Sequence, residues 1–262
     1  MLQQTIQQLV DRILRFNHLW AAGLLCTCSM AAVAAPMKPL VLAFSPLPPW
    51  KTVDASGRAA GPYLDIVTAL AGHLGVPLQV RLCPLLRCLQ WLRAGDADLA
   101  IGIAPGVGRD GVVEFLQPPF APGSAIGFYR RKDNTALRVR QYNDLSPLRI
   151  GLAGGAHYFT RFDQDASLLK DVAPDKLSNL RKLLAGRIDV AIMVCGEANV
   201  LLQNAEFHDK IVLAGPVVVT GPRNLVLSRA SSYFVEKTHI EHVLQQMVQS
   251  GEIHRLLAPV ED

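Results

Sequence analysis

Apolar runs of strand length alternate along the chain with segments whose apolar residues recur at helical spacing. "PLVLAF" (39–44) and "DLAIGI" (98–103) are short apolar runs typical of buried strands. "PYLDIVTALAGHLG" (62–75) and "PLLRCLQWLRAG" (84–95) have the period of helices, and each ends on a glycine that predicts a helix stop. This alternation indicates an α/β fold in which crossover helices connect the strands of a parallel sheet.

One helix-and-strand unit occurs twice. "LRAGDADLAIGI" (92–103) returns 91 residues later as "LLAGRIDVAIMV" (183–194), with six of twelve positions identical. Leucines upstream of both segments match at the same offset, so the similarity covers a helix, its glycine cap and the next strand. We predict two similar Rossmann-like α/β lobes, with a single domain of two similar halves as the alternative. Ligands of open α/β sheets bind beyond the strand ends, where the loops "APGVGRD" (104–110) and "VCGEAN" (194–199) would meet.

Two segments are predicted to connect the lobes. "FYRRKDN" (128–134) is charged and leads into the strand "LRIGLAGG", and "GPRN" (221–224) precedes the strand "LVLS". Two such crossings would form a hinge. The predicted organisation is a signal peptide at 1–34, a first lobe at 35–129 and 222–262, and a second lobe at 130–221.

The first 34 residues have the features of an export signal. Arg12 and Arg15 precede an apolar stretch (19–35) that closes on small residues. We place cleavage after Ala34, since Ala32 and Ala34 then occupy the small-residue positions. An uncleaved membrane anchor is the alternative, although the stretch is barely long enough to span a bilayer. The sequence therefore predicts export to the periplasm.

Composition and charge narrow the class of protein. The chain has 262 residues, 50% of them hydrophobic, and a formal net charge of +4, which excludes a disordered chain. The basic residues form no run interleaved with aromatics, so we predict no nucleic-acid partner. His239 and His242 lack further ligands at a recognisable spacing, and no phosphate-loop motif occurs. We predict neither a metal nor a cofactor.

Cys83 and Cys88 form a close pair in "CPLLRC". An oxidising compartment favours a disulfide between them. Pro84, however, predicts a helix start that would carry Cys88 more than a turn inward, and a bridge needs Cα atoms under about 7 Å apart. The sequence leaves the disulfide open.

The order of these motifs resembles that of the family-3 periplasmic solute-binding proteins, which include the amino-acid receptors of ABC importers. The resemblance spans nearly all of the chain after the export signal. It rests on "PPW", "GPYLDIVTALAGHLG", "LRAGDADLAIG", the Arg109 loop with "VEFLQPPF", "GLAGGAHY", "LLAGRIDVAIM" and "VLQQMVQSGEIHRLL". It implies the type II periplasmic binding protein fold, a small-molecule ligand, and an ABC permease or another membrane partner. We further expect a monomer.

The resemblance also assigns roles in a ligand site. The arginine at the position of Arg109 clamps the ligand's carboxylate in the amino-acid receptors, which suits the fixed fork of guanidinium donors. A solvated loop arginine, or one paired with Asp110, is the alternative. Trp50 matches an aromatic platform, unless it only packs on its neighbouring prolines. The "GGAHY" loop is expected to offer backbone donors at a helix N-terminus. The residues predicted to bind ligand are Trp50, Ala104, Arg109, Gly154, Gly155, Ala156, His157 and Glu197.

Two positions depart from the receptors. Gly106 stands where they have Thr or Ser, and Val194 stands where they have the aspartate that binds an α-amino group. Glu197 restores that contact if its helix turns it inward; otherwise it is a helix-start acid that complements the dipole. A carboxylate without an ammonium group, or another small polar molecule, is therefore at least as well favoured as an α-amino acid.

We predict a binding protein and not an enzyme. One alternative is a cyclohexadienyl-dehydratase-like enzyme, in which Glu197 would be the acid and Arg109 would hold the substrate's carboxylate. The other is a ligand-sensing or accessory periplasmic protein with the same fold and no transport role.

Overall fold

Two large β-sheets organise the protein, with helices packed against them, and Thr52–Val53 pairs with Ala59–Ala60 in a small third sheet. The computed structural model describes residues 37–106, 109 and 111–261, and residues 38–262 form one compact unit. The predicted export signal lies outside the described residues. No helix in the described ranges is both long and apolar enough to cross a bilayer.

The strands and helices follow each other in the predicted alternation. The strands are β1 (Leu40–Phe44), β2 (Thr52–Val53), β3 (Ala59–Ala60), β4 (Leu78–Leu82), β5 (Leu99–Ile101), β6 (Val113–Phe115), β7 (Ala125–Arg131), β8 (Arg149–Ala153), β9 (Leu169–Ala173), β10 (Val190–Val194), β11 (Ile211–Leu213), β12 (Val218–Val219) and β13 (Leu225–Ser228). The α-helices are α1 (Pro62–Leu74), α2 (Leu85–Ala94), α3 (Thr160–Gln164), α4 (Lys176–Leu184), α5 (Cys195–Leu201), α6 (Lys237–Gln249) and α7 (Glu252–Glu261). Short 3₁₀ helices span Tyr142–Leu145 and Ser232–Glu236.

The first sheet has the order β4-β1-β5-β13-β6, and the second has the order β11-β7-β10-β8-β9, with β12 also paired to β7. In the first sheet β1 is parallel to β4 and β5, whereas β13 is antiparallel to β5 and β6. In the second sheet β8 is parallel to β9 and β10, whereas β7 is antiparallel to β10, β11 and β12. Each lobe is thus a parallel half-sheet extended by antiparallel strands.

The two glycines that were predicted to stop helices do end them. Gly75 ends α1 with φ 69°, and Gly95 ends α2 with φ 78°. This left-handed conformation favours glycine, and it lets the capping N–H groups bond back to the last turn. The apolar side of α1, including Tyr63, Ile66 and Leu70, is buried in the core of the first lobe.

The internal repeat is also a structural repeat. Helices α2 and α4 begin at Leu85 and Lys176, the same 91-residue offset that separates Leu99 and Val190 at the starts of β5 and β10. The shared aspartate has one role in both units. The Asp98 carboxylate accepts from the Val41 N–H at 2.8 Å, and the Asp189 carboxylate accepts from the Arg149 N–H at 2.7 Å. The prediction of two α/β lobes is confirmed, and the repeated Asp secures neighbouring strands.

Two segments that run side by side connect the lobes. Ala121 forms an antiparallel bridge with Arg223, and the Thr220 N–H donates to the Ser124 carbonyl at 2.9 Å. Strand β7, which follows the first crossing, pairs with strands of the second sheet only. The predicted boundary at 129/130 therefore falls inside this strand, and we propose crossings at 121–124 and 220–223.

Cys83 and Cys88 form a disulfide, with Cα atoms 5.5 Å apart. Helix α2 begins at Leu85, so Cys88 is still in its first turn and faces back toward Cys83. The Cys88 N–H bonds the Pro84 carbonyl at 3.0 Å. The question left open by the sequence is settled by where the helix starts.

Candidate functional site

A cavity of about 550 Å³ lies between the lobes. Strand ends and loops of both sheets form its wall, together with the two crossing segments. This is the place where open α/β sheets bind ligands, and the volume suits a small molecule. We call it the interlobe cavity. Its charged and aromatic lining residues are Trp50, Tyr63, Arg109, His157, Tyr158, Phe159, Lys176, Glu197 and Arg223.

Arg109 is buried in this wall and bridges the two lobes. Its guanidinium donates to the Ala104 carbonyl of the first lobe and, at 2.7 Å, to the Gly155 carbonyl of the second. The side chain is only 4% exposed, so the alternative of a solvated loop arginine is wrong. Burial lowers the pKa of Arg109 to about 10, which leaves it charged at neutral pH. Asp110, the other alternative partner, lies outside the described residues.

Trp50 forms an aromatic wall that touches both lobes. Its ring stacks on Tyr63 with centroids 6.1 Å apart, and the Arg223 guanidinium lies 5.3 Å from the Trp50 ring centroid. On the opposite lobe, a Cβ added at Gly196 would lie 2.5 Å from the edge of the indole, so glycine permits this approach. Trp50 lines the interlobe cavity, as the predicted platform role requires.

The "GGAHY" loop is placed differently from the prediction. Gly154 and Gly155 pack against Leu86 of helix α2 and do not line the cavity, whereas Ala156 does. The N–H groups of Gly154 and Ala156 already bond the carbonyls of Ala173 and Ala153. Helix α3 begins only at Thr160. The expected backbone donors at a helix N-terminus are therefore absent at Gly154 and Ala156.

His157 explains the departure at Gly106. A Cβ at Gly106 would lie 2.3 Å from the His157 ring, so the Thr or Ser of the amino-acid receptors would collide with the imidazole. His157 lines the cavity, and its Nδ1 lies 3.5 Å from the Asp163 carboxylate. An imidazole from the opposite lobe therefore occupies the space beside Gly106.

Glu197 faces the cavity from the first turn of helix α5. It is 1% exposed and forms an ion pair with Lys176, the first residue of helix α4. Burial raises the pKa of the Glu197 carboxyl, while the charge of Lys176 opposes that rise. The condition that its helix turns Glu197 inward is met. The carboxylate nevertheless already pairs with Lys176, whose role the sequence did not reveal.

Lys51 is a second functional candidate that the sequence did not reveal. Its side chain is 2% exposed, and its ammonium donates to the Ile101 carbonyl at 2.8 Å and to the Ser45 hydroxyl at 3.4 Å. Burial lowers the pKa of Lys51 to about 7; the charge of Lys176 acts in the same direction, and that of Glu197 acts against it. Lys51, Lys176 and Glu197 thus form one electrostatic cluster across the two lobes.

We expect Lys51 to make the protein more stable as the pH rises from about 7 toward 10.5. In this window the unfolded lysine holds a proton that the folded one has lost. The unfolded state binds more protons, so the free energy of unfolding rises with pH, by at most about 1.4 kcal/mol per pH unit. Below this window both states are protonated and the slope from Lys51 vanishes.

Urea unfolding of the wild type and of Lys51→Met at pH 7, 8 and 9 measures this effect. The difference in unfolding free energy, wild type minus variant, should grow with pH. The exposed Lys210 provides the control, since Lys210→Met should leave the slope unchanged. Parallel pH profiles for the wild type and Lys51→Met would show that Lys51 keeps an ordinary proton affinity.

Gly196→Ala is expected to weaken ligand binding about tenfold, because its methyl group would meet Trp50 and oppose the approach of the lobes. Gly72→Ala on helix α1 is the matched control, because a Cβ there meets nothing within 4 Å. It should bind as the wild type does. Calorimetric titration with a ligand that raises the melting temperature of the wild type measures the affinity of both variants. Unchanged affinity of Gly196→Ala would mean that Trp50 and Gly196 separate in the liganded protein.

The interlobe cavity brings together six of the eight predicted residues. They are Trp50, Ala104, Arg109, Ala156, His157 and Glu197. Their contact with a ligand stays a prediction. Within the described residues, no group of three or more His, Cys, Asp or Glu side chains is placed to hold a metal ion.

Two α/β lobes around a lined cavity define a two-lobed binding-protein architecture. The model of the bacterial extracellular solute-binding proteins, family 3, matches residues 40–259. The chain belongs to this family. A search of curated protein sequences finds no match to it.

Solved structures share this fold. A histidine kinase sensor domain with similarity to periplasmic binding proteins matches with a TM-score of 0.71 and 16% identity, over 86% of this chain and 96% of that one. An arginine transport periplasmic binding protein from Legionella pneumophila matches with a TM-score of 0.70 and 18% identity, over 85% and 99%. An ancestral arginine-binding protein bound to arginine matches with a TM-score of 0.69 and 19% identity, over 84% and 96%. The type II periplasmic binding protein fold is confirmed.

Proposed function

We propose that this protein is a periplasmic solute-binding protein that captures a small, carboxylate-bearing ligand in the interlobe cavity. The observation that carries the proposal is the buried charge of Arg109. Among the described residues, its Nε has no hydrogen-bond partner. The charge of the Asp163 carboxylate opposes the effect of burial on the Arg109 pKa, but Asp163 forms its ion pair with the His157 Nδ1, at 3.5 Å. A buried cation is costly unless it is paired, and a guanidinium pairs best with a carboxylate. A ligand carboxylate supplies that charge.

Ligand capture would draw the lobes together about the two crossing segments. Such hinge closure is the usual response of two-lobed binding proteins. Contacts between the lobes at Arg109–Gly155 and Trp50–Gly196 would hold the closed arrangement. The closed form would then dock on an ABC permease or another membrane partner after export to the periplasm. We expect the protein to act as a monomer.

Thermal unfolding of residues 35–262 tests the proposal. The chain is screened against carboxylates, amino acids, polyamines and small sugars, since a ligand that binds only the folded state raises its stability. The proposal predicts a rise in melting temperature with carboxylates and none with polyamines or sugars. No shift across the library would contradict a solute-binding role for these compounds.

Glu197 is the residue that makes the dehydratase alternative worth testing. It is a buried carboxyl in the cavity wall, and burial raises its pKa, as suits an acid catalyst. Purified protein would then turn over prephenate or arogenate, and Glu197→Gln would abolish the turnover. We expect no turnover at high protein concentration; measurable turnover would replace the binding role by an enzymatic one.

A further inference from the structure

Four buried side-chain atoms in the cavity wall have no hydrogen-bond partner among the described residues. Two of them are the Arg109 Nε, which the proposed ligand carboxylate would pair, and the His157 Nδ1, which lies 3.5 Å from the Asp163 carboxylate. The other two are the Trp50 Nε1, a hydrogen-bond donor, and the Glu197 Oε2, an acceptor when ionised. Trp50 is 9% exposed and Glu197 is 1% exposed. A buried polar group without a partner destabilises the protein, so both atoms favour a bound molecule that satisfies them.

The two side chains come from opposite lobes, and both adjoin Gly196. The indole edge lies against this residue, which precedes Glu197 in helix α5. Both side chains line the interlobe cavity. One small substituent of a ligand placed here would therefore be held by both lobes.

The chemistry of the two atoms selects the substituent. An ammonium group only donates, so it would leave the Trp50 N–H unpaired. A carbonyl only accepts, so it would leave Glu197 unpaired. A hydroxyl accepts from the indole N–H and donates to the carboxylate.

The surrounding charges disfavour an ammonium group. Glu197 already pairs with Lys176, and Lys51 belongs to the same electrostatic cluster. The Lys176 ammonium already balances the Glu197 carboxylate, which weakens it as a partner for a second cation. A neutral hydroxyl adds no positive charge to this cluster.

We propose that the interlobe cavity binds a hydroxycarboxylate, with the carboxylate at Arg109 and the hydroxyl between Trp50 Nε1 and Glu197 Oε2. The inference rests on the proposed function and names the ligand class for the same site. It separates this protein from a receptor for α-amino acids of equal size.

Matched ligands test the inference in residues 35–262. Calorimetry compares the hydroxy, amino and unsubstituted acids that share one carbon skeleton. The first set is lactate, alanine and propionate, and the second is malate, aspartate and succinate. Further sets use other skeletons of two to six carbons. The hydroxy acid of the fitting skeleton should bind roughly tenfold more tightly than the unsubstituted acid, the worth of one good hydrogen bond. It should also bind more tightly than the amino acid.

The outcomes separate the two proposals. Absence of binding by every carboxylate contradicts the proposed function, and the inference fails with it. Binding in which the amino acid prevails, or in which the hydroxyl gives no gain, overturns the inference and leaves the carboxylate site in place.

Trp50→Phe provides a second test, because it keeps an aromatic ring and removes the N–H. The readout is the ratio of dissociation constants, unsubstituted acid over hydroxy acid, so a general loss of affinity cancels. The ratio should fall from about ten toward one. Trp91→Phe is the matched control, since Trp91 lies on helix α2 beneath the Arg81 guanidinium and does not line the cavity. An unchanged ratio in Trp50→Phe would overturn the assignment of the hydroxyl.

Discussion

Arg109→Ala is expected to weaken carboxylate binding by about 2 kcal/mol, roughly thirtyfold. The substitution removes the charge that the ligand is proposed to neutralise. It also removes the donor that joins the first lobe to the Gly155 carbonyl of the second. Calorimetric titration with the carboxylate found in the thermal screen measures the loss.

Two further variants define what Arg109 contributes. Arg109→Lys keeps the charge without the planar fork, so its affinity should fall between those of the wild type and Arg109→Ala. Arg58→Ala is the control, because the Arg58 side chain is 81% exposed and lies away from the cavity lining. Unchanged affinity of Arg109→Ala would remove this residue from the ligand site.

Gly123→Ala is expected to destabilise the fold by about 2–4 kcal/mol. A Cβ at Gly123 would lie 1.9 Å from the Thr220 carbonyl oxygen. The obstacle is backbone of the other crossing segment and not the end of a flexible side chain, so the two crossings must separate. The melting temperature should fall by about 4–16 °C for a chain of this size.

Gly221 offers the matched control in the same hinge. A Cβ there meets nothing within 4 Å, so Gly221→Ala should melt close to the wild type. Thermal unfolding of both variants provides the comparison. Equal melting temperatures would mean that the two crossing segments are not packed side by side in solution.

The sequence predicted the two lobes because their local signals agree with the tertiary structure. Gly75 and Gly95 end helices at left-handed positions, and Asp98 and Asp189 secure neighbouring strands in the same way. The first lobe boundary was less predictable. "FYRRKDN" looks like an exposed linker, but β7 carries its Arg130 and Arg131 into the second sheet, where they pair with β11. The Arg130 guanidinium donates from one nitrogen to the backbone carbonyls of Arg131 and Lys132, which no charge pattern reveals.

The site was predictable where the family resemblance assigned a role to a residue. The resemblance implied that Arg109 is a carboxylate clamp and Trp50 an aromatic platform, and the cavity brings the two side chains together. Lys51 did not stand out, because lysine is almost never fully buried and its contact with Ile101 depends on how a turn packs on β5. The internal repeat gave a weak indication of Lys176. This residue begins helix α4, the counterpart of helix α2 in the first lobe, and both helices begin at the cavity.

The emission of Trp50 tests the central claim most directly. In residues 35–262 the tryptophans are Trp50 and Trp91, so Trp91→Phe leaves Trp50 as the single reporter in the cavity wall. Titration with a carboxylate that raises the melting temperature should change Trp50 emission saturably, and adding Arg109→Ala should shift the change to much higher ligand concentration. A carboxylate that stabilises the fold but leaves Trp50 emission unchanged would place binding outside the interlobe cavity and contradict the account.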